Sequence, residues 1–385
     1  MLEFFEFQSR PRVLYKAGLV DELGHEAGRL GARAVIVADE GVARVGLLDR
    51  VCAGLAGGIE VAGVFSDVPA NSSVAVVDRG AAYARAQGAD LIVAVGGGSP
   101  IDTAKAMRIL LSEGGSLHDY EGYNVLERPL LPMVAIPTTA GTGSEVTAWA
   151  VIRDEAAHVK MHLSSPFLAP DLAILDPEMT RTLPPRLTAA TGMDALTHAI
   201  EAFVGTNANP ISDSLALQAI DMISNNLRGA TYSGDDLDAR SQMLIASCIA
   251  GMAFSSGGGS LGIVHAMAHA VGGAFDVHHG TANAILVPYG MRFNSAAVPN
   301  RFARIARAMG VNAGGRAEGH VIGDGIEAVR SLAVDCHLPA RLRDVDVPEG
   351  ALPMLAEIAL GDAAIFTNPH PVSFDDVLEL LRAAW

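Results

Sequence analysis

The amino-acid sequence predicts an α/β domain with a mainly parallel sheet, followed by an all-helical domain. Up to about residue 185, short runs of β-branched residues alternate with helical segments, which is typical of parallel strands with helices on both faces of the sheet. After Pro184-Pro185 the β-branched runs almost disappear, and helical patterns broken by Gly, Pro and Asn continue to the last residue. A chain of 385 residues is also too long for one ordinary core. We therefore expect two domains, 1–185 and 186–385.

Five short apolar runs in the first half are predicted strands. They are AVIVAD (34–39), GIEVAGVF (58–65), DLIVAVGGG (90–98), PMVAIPTT (132–139) and DLAILDP (171–177). Alanine-rich amphipathic segments lie between them, and one of these ends at Gly88, a residue suited to end a helix. The stretch 145–163 is predicted to be a hairpin added to this sheet, with its turn near Asp154 and Glu155.

Eight helices are predicted in the second half of the chain. They cover 188–204, 211–227, 237–255, 260–273, 281–294, 299–309, 320–336 and 373–383. The run Gly257-Gly258-Gly259 is predicted to be a loop before one of these helices.

The composition indicates an enzyme-like globular protein that handles small molecules. Half of the residues are hydrophobic, only 18% are charged, and the formal net charge is −16. This charge argues against a nucleic-acid partner or an anionic membrane surface, because no long Lys/Arg run offsets it. The apolar excess favours a homo-oligomer, a dimer or larger, in which a partner subunit covers part of the surface.

Targeting and redox features favour the cytoplasm. Cys52, Cys248 and Cys336 stand far apart, which predicts neither a disulfide framework nor a thiolate zinc cluster. The acidic N-terminal segment is unlike a signal peptide. The sequence contains no uninterrupted apolar stretch of about 20 residues that would cross a bilayer.

Carboxylate and imidazole groups recur in the helical half at the spacing of a helix turn. Asp194 and His198 are four residues apart, as are His265 and His269, and His279 follows on a turn flanked by glycine. Residues four apart lie on one helix face, about 6 Å from each other, and can bind one ion together. Taken singly, each motif has a simpler interpretation. Asp194 and His198 could form a surface ion pair, His265 and His269 could be hydrogen-bonded core histidines, and His279 could lie on a solvated loop. Their coincidence predicts a divalent metal site.

A glycine-rich turn follows the third predicted strand. Gly96, Gly97, Gly98 and Ser99 stand where the strand ends and a helix begins. Glycines let backbone amides approach phosphate oxygens, and a helix N-terminus favours negative charge. The alternative is that glycine occurs here for steric reasons alone. The pattern is neither a GxGxxG fingerprint nor a P-loop, since Lys105 lies well inside the helix.

Two further segments favour a dinucleotide. PTTAGTGSE (137–145) follows another apolar strand and offers Thr138, Thr139 and Thr142 at the same sheet edge. Asp39 ends the strand AVIVAD, where a carboxylate can accept a hydrogen bond from a ribose 2′-hydroxyl and would repel a 2′-phosphate. This favours NAD over NADP, although Asp39 has an alternative role as a helix N-cap and Glu40 is its neighbour.

Together these motifs resemble the iron-containing, group III alcohol dehydrogenases. The resemblance runs over most of the chain and is strongest to the branch of lactaldehyde reductases and short-chain diol dehydrogenases. It is carried by GGGSPIDTAK (96–105), PTTAGTGSE, SSPFLAPDLAILDPEMTRTLP (164–184), GMDALTHAIEAF, GIVHAMAHAVGG and HHGTANAILVPYGMRFN (278–294).

The resemblance implies a role for each candidate residue. Metal ligands are then Asp194, His198, His265 and His279, whereas His269 lies near the nicotinamide and substrate. His278, next to His279, stays open as a substitute ligand or a group behind the ligands. The implied cofactor contacts are Asp39, Asn71, Gly97, Gly98, Ser99, Thr138, Thr139, Thr142, Val151 and Lys160.

These parts predict hydride transfer between NAD(H) and a small primary alcohol, diol or aldehyde. The metal is expected to stabilise the alkoxide as a Lewis acid, and His269 to relay the proton. An Asp/His₃ set suits both Fe²⁺ and Zn²⁺, and the resemblance makes Fe²⁺ the first expectation. Phe254, Leu261 and the helix around Phe203 are candidates for a small apolar substrate pocket.

Other functions remain as alternatives at this point. Glycerol dehydrogenases and dehydroquinate-synthase-like enzymes also join a nucleotide domain to a helical metal domain. A metal-dependent hydrolase would leave the glycine-rich turn and Asp39 without a role. A non-catalytic NAD or metal sensor is a third class.

Overall fold

The computed structural model describes residues 4–157, 159–255 and 260–385. The predicted loop at Gly257-Gly258-Gly259 therefore lies outside the described residues. Two compact units are present: one comprises residues 9–139 and 143–182, and the other comprises 183–385 with 140–142 and the described residues up to Gln8. We call them the α/β unit and the helical unit.

The α/β unit contains nine strands and five helices among its described residues. The strands are β1 (Arg12–Tyr15), β2 (Arg33–Ala38), β3 (Glu60–Phe65), β4 (Leu91–Gly96), β5 (Gly122–Tyr123), β6 (Met133–Pro137), β7 (Trp149–Asp154), β8 (Val159–Ser164) and β9 (Leu172–Leu175). The helices are α1 (Leu23–Ala27), α2 (Glu40–Arg44), α3 (Leu47–Leu55), α4 (Val74–Ala86) and α5 (Gly98–Ser112).

Six strands form a parallel sheet in the order β1-β9-β6-β4-β2-β3. Every residue of β4 and β6 is buried, which explains why these strands read as continuous apolar runs. The five predicted strands are all present in this sheet. The first strand, β1, was not predicted because its four residues are only partly buried at the sheet edge and show no clear periodicity.

The hairpin prediction is half correct. Strands β7 and β8 do pair antiparallel, but they form a separate three-stranded sheet in the order β5-β8-β7, so the expectation that they extend the main sheet is wrong. The edge beside β9 is already occupied by β1. Helix α5 packs against both β4 and β7, which places the hairpin over the helix layer of the main sheet.

The helical unit contains no strand among its described residues. Its helices are α6 (Pro185–Val204), α7 (Pro210–Tyr232), α8 (Leu237–Ser255), α9 (Ile263–Phe275), α10 (His279–Ser295), α11 (Pro299–Ala308), α12 (Glu318–Asp335), α13 (Leu352–Leu360) and α14 (Phe374–Ala384). All eight predicted helices are present, α7 continues past its predicted end, and α13 was not predicted. The predicted fold class is thus confirmed.

Helix α6 is the central helix of this unit. Each of its residues from Thr188 to Val204 is buried, and it packs against α7, α8 and α10. Polar groups on such a helix must find partners inside the protein. None of the helices in the described part of the chain is long and apolar enough to cross a membrane.

Candidate metal centre and cofactor-binding edge

Four predicted ligands converge in the helical unit. Asp194 and His198 come from α6, His265 from α9 and His279 from α10, and one donor atom of each lies within 4.8 Å of the others. The distances from Asp194 Oδ1 to the Nε2 atoms are 4.0 Å for His198, 3.9 Å for His265 and 3.3 Å for His279.

The chemistry of this donor set fits a divalent transition metal. One carboxylate and three imidazole nitrogens are ligands that Fe²⁺ and Zn²⁺ both accept. Asp194, His198 and His265 are buried, while His279 is about one-third exposed at its side chain (32%), so one side of the cluster is open. A single open side would leave room for a substrate atom.

Local packing explains how His279 reaches the cluster. The expected glycine-flanked turn is instead the start of a helix, because His279 is the first residue of α10 and His278 precedes it as the N-cap. A Cβ atom on Gly280 would lie 2.1 Å from the Ala190 carbonyl oxygen, so glycine is required for α10 to approach α6 this closely. His278 is exposed and is not part of the four-residue cluster.

The protein environment sets the protonation of two of these histidines. Burial lowers the pKa of His198 to about 4, against the Asp194 carboxylate, which raises it. Burial also disfavours the charged form of His265, but the charge and hydrogen bond of Glu201, together with Asp194, outweigh it and raise the pKa of His265. His198 is therefore a neutral imidazole near neutral pH, which is the form that coordinates metals.

Side chains that sequence reasoning missed surround the cluster. The Glu201 carboxylate contacts His265 Nδ1 at 2.5 Å, and Asn283 Nδ2 donates to Asp194 Oδ1 at 2.7 Å. Phe254, which the sequence suggested for the substrate pocket, also lies here: its ring stacks on His198 with centroids 4.5 Å apart. Glu201 had a detectable signal, because it lies three residues after His198 and so on the same face of one helix.

His269 lies beside the cluster without belonging to it. Its ring stacks on that of His279 with centroids 5.3 Å apart, and its Nδ1 lies 2.8 Å from Asp362 Oδ2. The carboxylate can only accept, so a neutral His269 carries its hydrogen on Nδ1 and keeps a lone pair on Nε2. Asp362 precedes a short 3₁₀ segment and was not predicted, since nothing local in the sequence links it to a histidine ninety-three positions earlier.

Part of the candidate cofactor set lies at the carboxyl edge of the parallel sheet. Strand β4 pairs with β2 on one side and β6 on the other, so Asp39, Gly97 and Thr138 follow neighbouring strands. The chain leaves β2 toward β3 and returns to β4 on the other side, and this reversal of strand order is where such sheets bind nucleotides. Helix α5 begins at Gly98 and Ser99, with Gly97 as its N-cap, so the glycine-rich turn opens a helix as predicted.

Asp39 also has the alternative role considered for it. It is the N-cap of α2, and its Oδ1 accepts a hydrogen bond from Val42 N at 2.8 Å. This contact uses one carboxylate oxygen only. The two roles are therefore compatible, because Oδ2 can accept from another group.

A buried polar network connects α5 to the hairpin sheet. Lys105 Nζ donates to Ser144 Oγ at 2.9 Å, Thr147 Oγ1 at 3.1 Å and the Trp149 carbonyl at 2.6 Å. Asp102 accepts from Ser144 Oγ at 2.5 Å and from Val151 N at 3.0 Å. This network brings Val151 to the helix that follows the glycine-rich turn.

The remaining candidate cofactor residues occupy different places. Asn71 has a left-handed backbone (φ 57°) before α4, and the adjacent Ser72 Oγ accepts from Thr103 Oγ1 of α5 at 2.6 Å. Lys160 lies on β8, opposite Arg153 of β7. Thr142 belongs to the segment 140–142 that groups with the helical unit.

Comparison with known proteins gives a consistent result along the whole chain. The sequence model described as iron-containing alcohol dehydrogenase matches residues 10–177, and the C-terminal model of the Fe-containing alcohol dehydrogenase family matches 188–385. The 1,3-propanediol dehydrogenase of Klebsiella pneumoniae is 42% identical over 358 residues, which are 92% of each chain. The NAD-dependent methanol dehydrogenase of Bacillus methanolicus is 37% identical over 376 residues, 97% of this chain and 98% of that one. A crystal structure of 1,3-propanediol oxidoreductase superposes with a TM-score of 0.97, at 39% identity and 100% coverage of both chains.

The protein is thus a two-part oxidoreductase with an α/β part and a helical part. It belongs to the iron-containing alcohol dehydrogenase family. The predicted family and enzyme class are confirmed. This membership speaks against the hydrolase and sensor alternatives.

Proposed function

We propose that this chain transfers a hydride between NAD(H) and a small primary alcohol, diol or aldehyde in a metal-dependent reaction. The observation that carries the proposal is the convergence of Asp194, His198, His265 and His279 from three helices. The nucleotide part is supported by Asp39 and the glycine-rich turn at adjacent strand ends.

The four converging residues are the proposed metal ligands, with Fe²⁺ as the first choice and Zn²⁺ as the second. The family description supports iron. A divalent ion held there would supply Lewis acidity to the alcohol or aldehyde oxygen. The protein's own contribution is to hold three imidazoles and one carboxylate around one point and to keep water out through burial.

His269 is the proposed catalytic proton carrier. With Asp362 accepting from Nδ1, the Nε2 atom is the one that takes up the hydroxyl proton during alcohol oxidation. In the reverse reaction it returns the proton to the alkoxide oxygen that hydride transfer to the aldehyde creates. The stacking of His269 on His279 supports a position next to the reacting group. Phe254, stacked on His198, supports a small apolar substrate.

NAD is the proposed cofactor, in preference to NADP. Asp39 would accept from the ribose 2′-hydroxyl and repel a 2′-phosphate. The proposed contacts are those named from the sequence, Asp39, Asn71, Gly97, Gly98, Ser99, Thr138, Thr139, Thr142, Val151 and Lys160. The NAD dependence of the methanol dehydrogenase relative agrees with this preference.

We also propose a homo-oligomer of cytoplasmic location. Large apolar side chains such as Phe4 (83% exposed) and Phe366 (82% exposed) lie on the surface of the described chain and suit coverage by a second copy. Light scattering on the purified protein would measure the subunit number, and a monomer would contradict this part of the proposal.

The central test combines metal removal with a substrate panel. We expect chelator treatment to abolish NAD reduction with 1,3-propanediol or ethanol, followed at the NADH absorbance, and Fe²⁺ to restore it better than Zn²⁺. His265→Ala should lose the metal, whereas His269→Ala should retain it and turn over slowly. Full activity in metal-stripped protein would overturn the proposed mechanism, and metal loss in His269→Ala would overturn the division of roles.

A further inference from the structure

Both oxygens of the Glu201 carboxylate, in the helical unit, have hydrogen-bond partners. It is 2% exposed and lies on α6. Oε2 accepts from Gly262 N at 2.8 Å and contacts His265 Nδ1 at 2.5 Å, and Oε1 accepts from Val264 N at 2.8 Å. Three donors from the start of α9 therefore converge on a single buried anion.

The packing around Glu201 leaves no room for a side chain at Gly262. A Cβ atom on Gly262 would lie 2.7 Å from Glu201 Oε1, so the close approach of the α9 N-terminus to this carboxylate requires glycine. An anion at a helix N-terminus is also favoured by the helix dipole. The contact thus locks the start of α9 and the ring of His265 to α6 at once.

We propose that Glu201 is a positioning residue for the metal site. A carboxylate is an acceptor only, so it holds the His265 hydrogen on Nδ1 and leaves the lone pair on Nε2, which lies 3.9 Å from Asp194 Oδ1. One face of α6 then carries two proposed ligands, Asp194 and His198, and the group that orients a third. This inference rests on the proposed metal site and assigns Glu201 no direct contact with the ion.

Glu201→Gln is the variant that tests the proposal. Glutamine offers one acceptor oxygen and one donor group in place of two acceptors, so at least one of the three donors faces another donor. In either orientation of the amide, the His265 Nδ1 hydrogen loses its charged acceptor. Where the amide nitrogen faces Nδ1, that hydrogen must also move to Nε2 and block the ligand lone pair. We expect the affinity for Zn²⁺, measured by competition with a chelator on metal-stripped protein, to fall about 10- to 100-fold.

Asp176→Asn is the matched control, because Asp176 is a buried carboxylate that, among the described residues, accepts only from backbone N–H groups. Asp176 is fully buried in the α/β unit and accepts from Gly18 N at 3.0 Å, Val20 N at 3.1 Å and Glu178 N at 3.1 Å, with no histidine among these partners. This variant should lose stability and keep its Zn²⁺ affinity. Zn²⁺ affinity in folded Glu201→Gln within about twofold of the unchanged protein would overturn the proposal.

A double-mutant cycle separates an effect through His265 from a general one. His265→Ala keeps three of the four proposed ligands and so a weak residual affinity for Zn²⁺. If Glu201 acts through His265, adding Glu201→Gln to this variant should weaken that residual affinity no further. An additive loss would contradict the proposal. Absence of stoichiometric Zn²⁺ or Fe²⁺ binding by the unchanged protein would instead refute the metal site itself, so the two failures are distinguishable.

A measurement on the unchanged protein covers the case in which the variant does not fold. In Zn²⁺-loaded protein labelled with ¹⁵N-histidine, we expect His265 to carry its proton on Nδ1 and the metal on Nε2. The His265 signals are identified by their loss in His265→Ala. Coordination through Nδ1 would overturn the proposal.

Discussion

Glu145 and Lys105 are ionisable residues that the α/β unit buries almost completely. Burial raises the pKa of Glu145 to about 7, against the nearby Lys105 charge, and lowers the pKa of Lys105 to about 8, against Asp102 and Glu145. The hydrogen bonds of Lys105 to Ser144, Thr147 and Trp149 offset part of the cost of its burial. Glu145 Oε1 has no partner among the described residues.

The raised pKa of Glu145 predicts a pH-dependent stability. Because the folded protein holds this proton more tightly than the unfolded chain, the contribution is fully present below about pH 4.5 and is lost as the pH rises to about 7. Relative to Glu145→Gln, the unchanged protein should lose up to about 3 kcal/mol of unfolding free energy between pH 5 and pH 8. Urea unfolding at both pH values measures this difference. The exposed Glu121→Gln is the control, and parallel pH profiles of unchanged protein and Glu145→Gln would contradict the prediction.

The pairing of His269 with Asp362 predicts a catalytic defect without metal loss. In Asp362→Asn the amide oxygen can still cap Ala364 N, but the amide nitrogen then faces His269 Nδ1 and forces the hydrogen to Nε2. We expect kcat to fall about 100-fold, the lower end for loss of general acid–base catalysis. Metal content, measured by mass spectrometry, should be unchanged. Asp376→Asn, at the N-terminus of α14, is the control, and an unaffected kcat in Asp362→Asn would count against the role of His269.

At the scale of elements, the proposed metal centre depends on how closely α10 approaches α6. Gly280 is the contact point, since its missing side chain admits the Ala190 carbonyl. The neighbouring His279 reaches Asp194 only because of this approach. Helix packing and ligand geometry are therefore coupled at one residue.

Gly280→Ala should separate these two helices. We expect a loss of about 1–3 kcal/mol of unfolding free energy from overpacking, together with weaker Zn²⁺ binding because His279 is displaced. Gly273→Ala on α9 is the matched control, because a Cβ there would meet no other part of the described chain within 4 Å and alanine favours a helix. Urea unfolding and Zn²⁺ titration measure both quantities, and unchanged metal affinity in Gly280→Ala would disprove the coupling.

At the scale of the whole molecule, metal binding should be visible in thermal stability. The proposed ligands come from helices far apart in the chain, so an unfolded chain cannot present them together. Metal at about a thousand times its dissociation constant would add about 4 kcal/mol to the unfolding free energy.

Calorimetry with and without a chelator measures this contribution. Metal removal should lower the Tm of the transition that includes the helical unit by roughly 10 °C. Asp194→Ala should show no metal-dependent shift. His278→Ala should retain the shift, since His278 is exposed and outside the cluster; loss of the shift in this variant would show that the wrong histidine was chosen.

Much of the architecture follows from patterns within short stretches of sequence. Continuous β-branched runs identified five strands of the parallel sheet, and the i,i+4 spacing of Asp194 and His198 placed both on one helix face. Glycine after β4 and Asp39 after β2 predicted a nucleotide-binding edge, and these two strands are neighbours in the sheet. These features are readable because side-chain periodicity and turn chemistry act over a few residues.

Other features of the fold and the candidate site could not be predicted, because they depend on which distant segments pack together and at what distance. This packing separated His279 from His278 by starting α10 at His279, and it assigned the β7–β8 hairpin to its own sheet. It also brought Glu201 to His265 and Asp362 to His269, pairs separated by 64 and 93 positions. No local pattern encodes such contacts. The sequence by itself determined which residue types are available as metal ligands. Only the tertiary structure decided which carboxylates lie beside the histidines, because that depends on helices that approach each other closely at glycine residues.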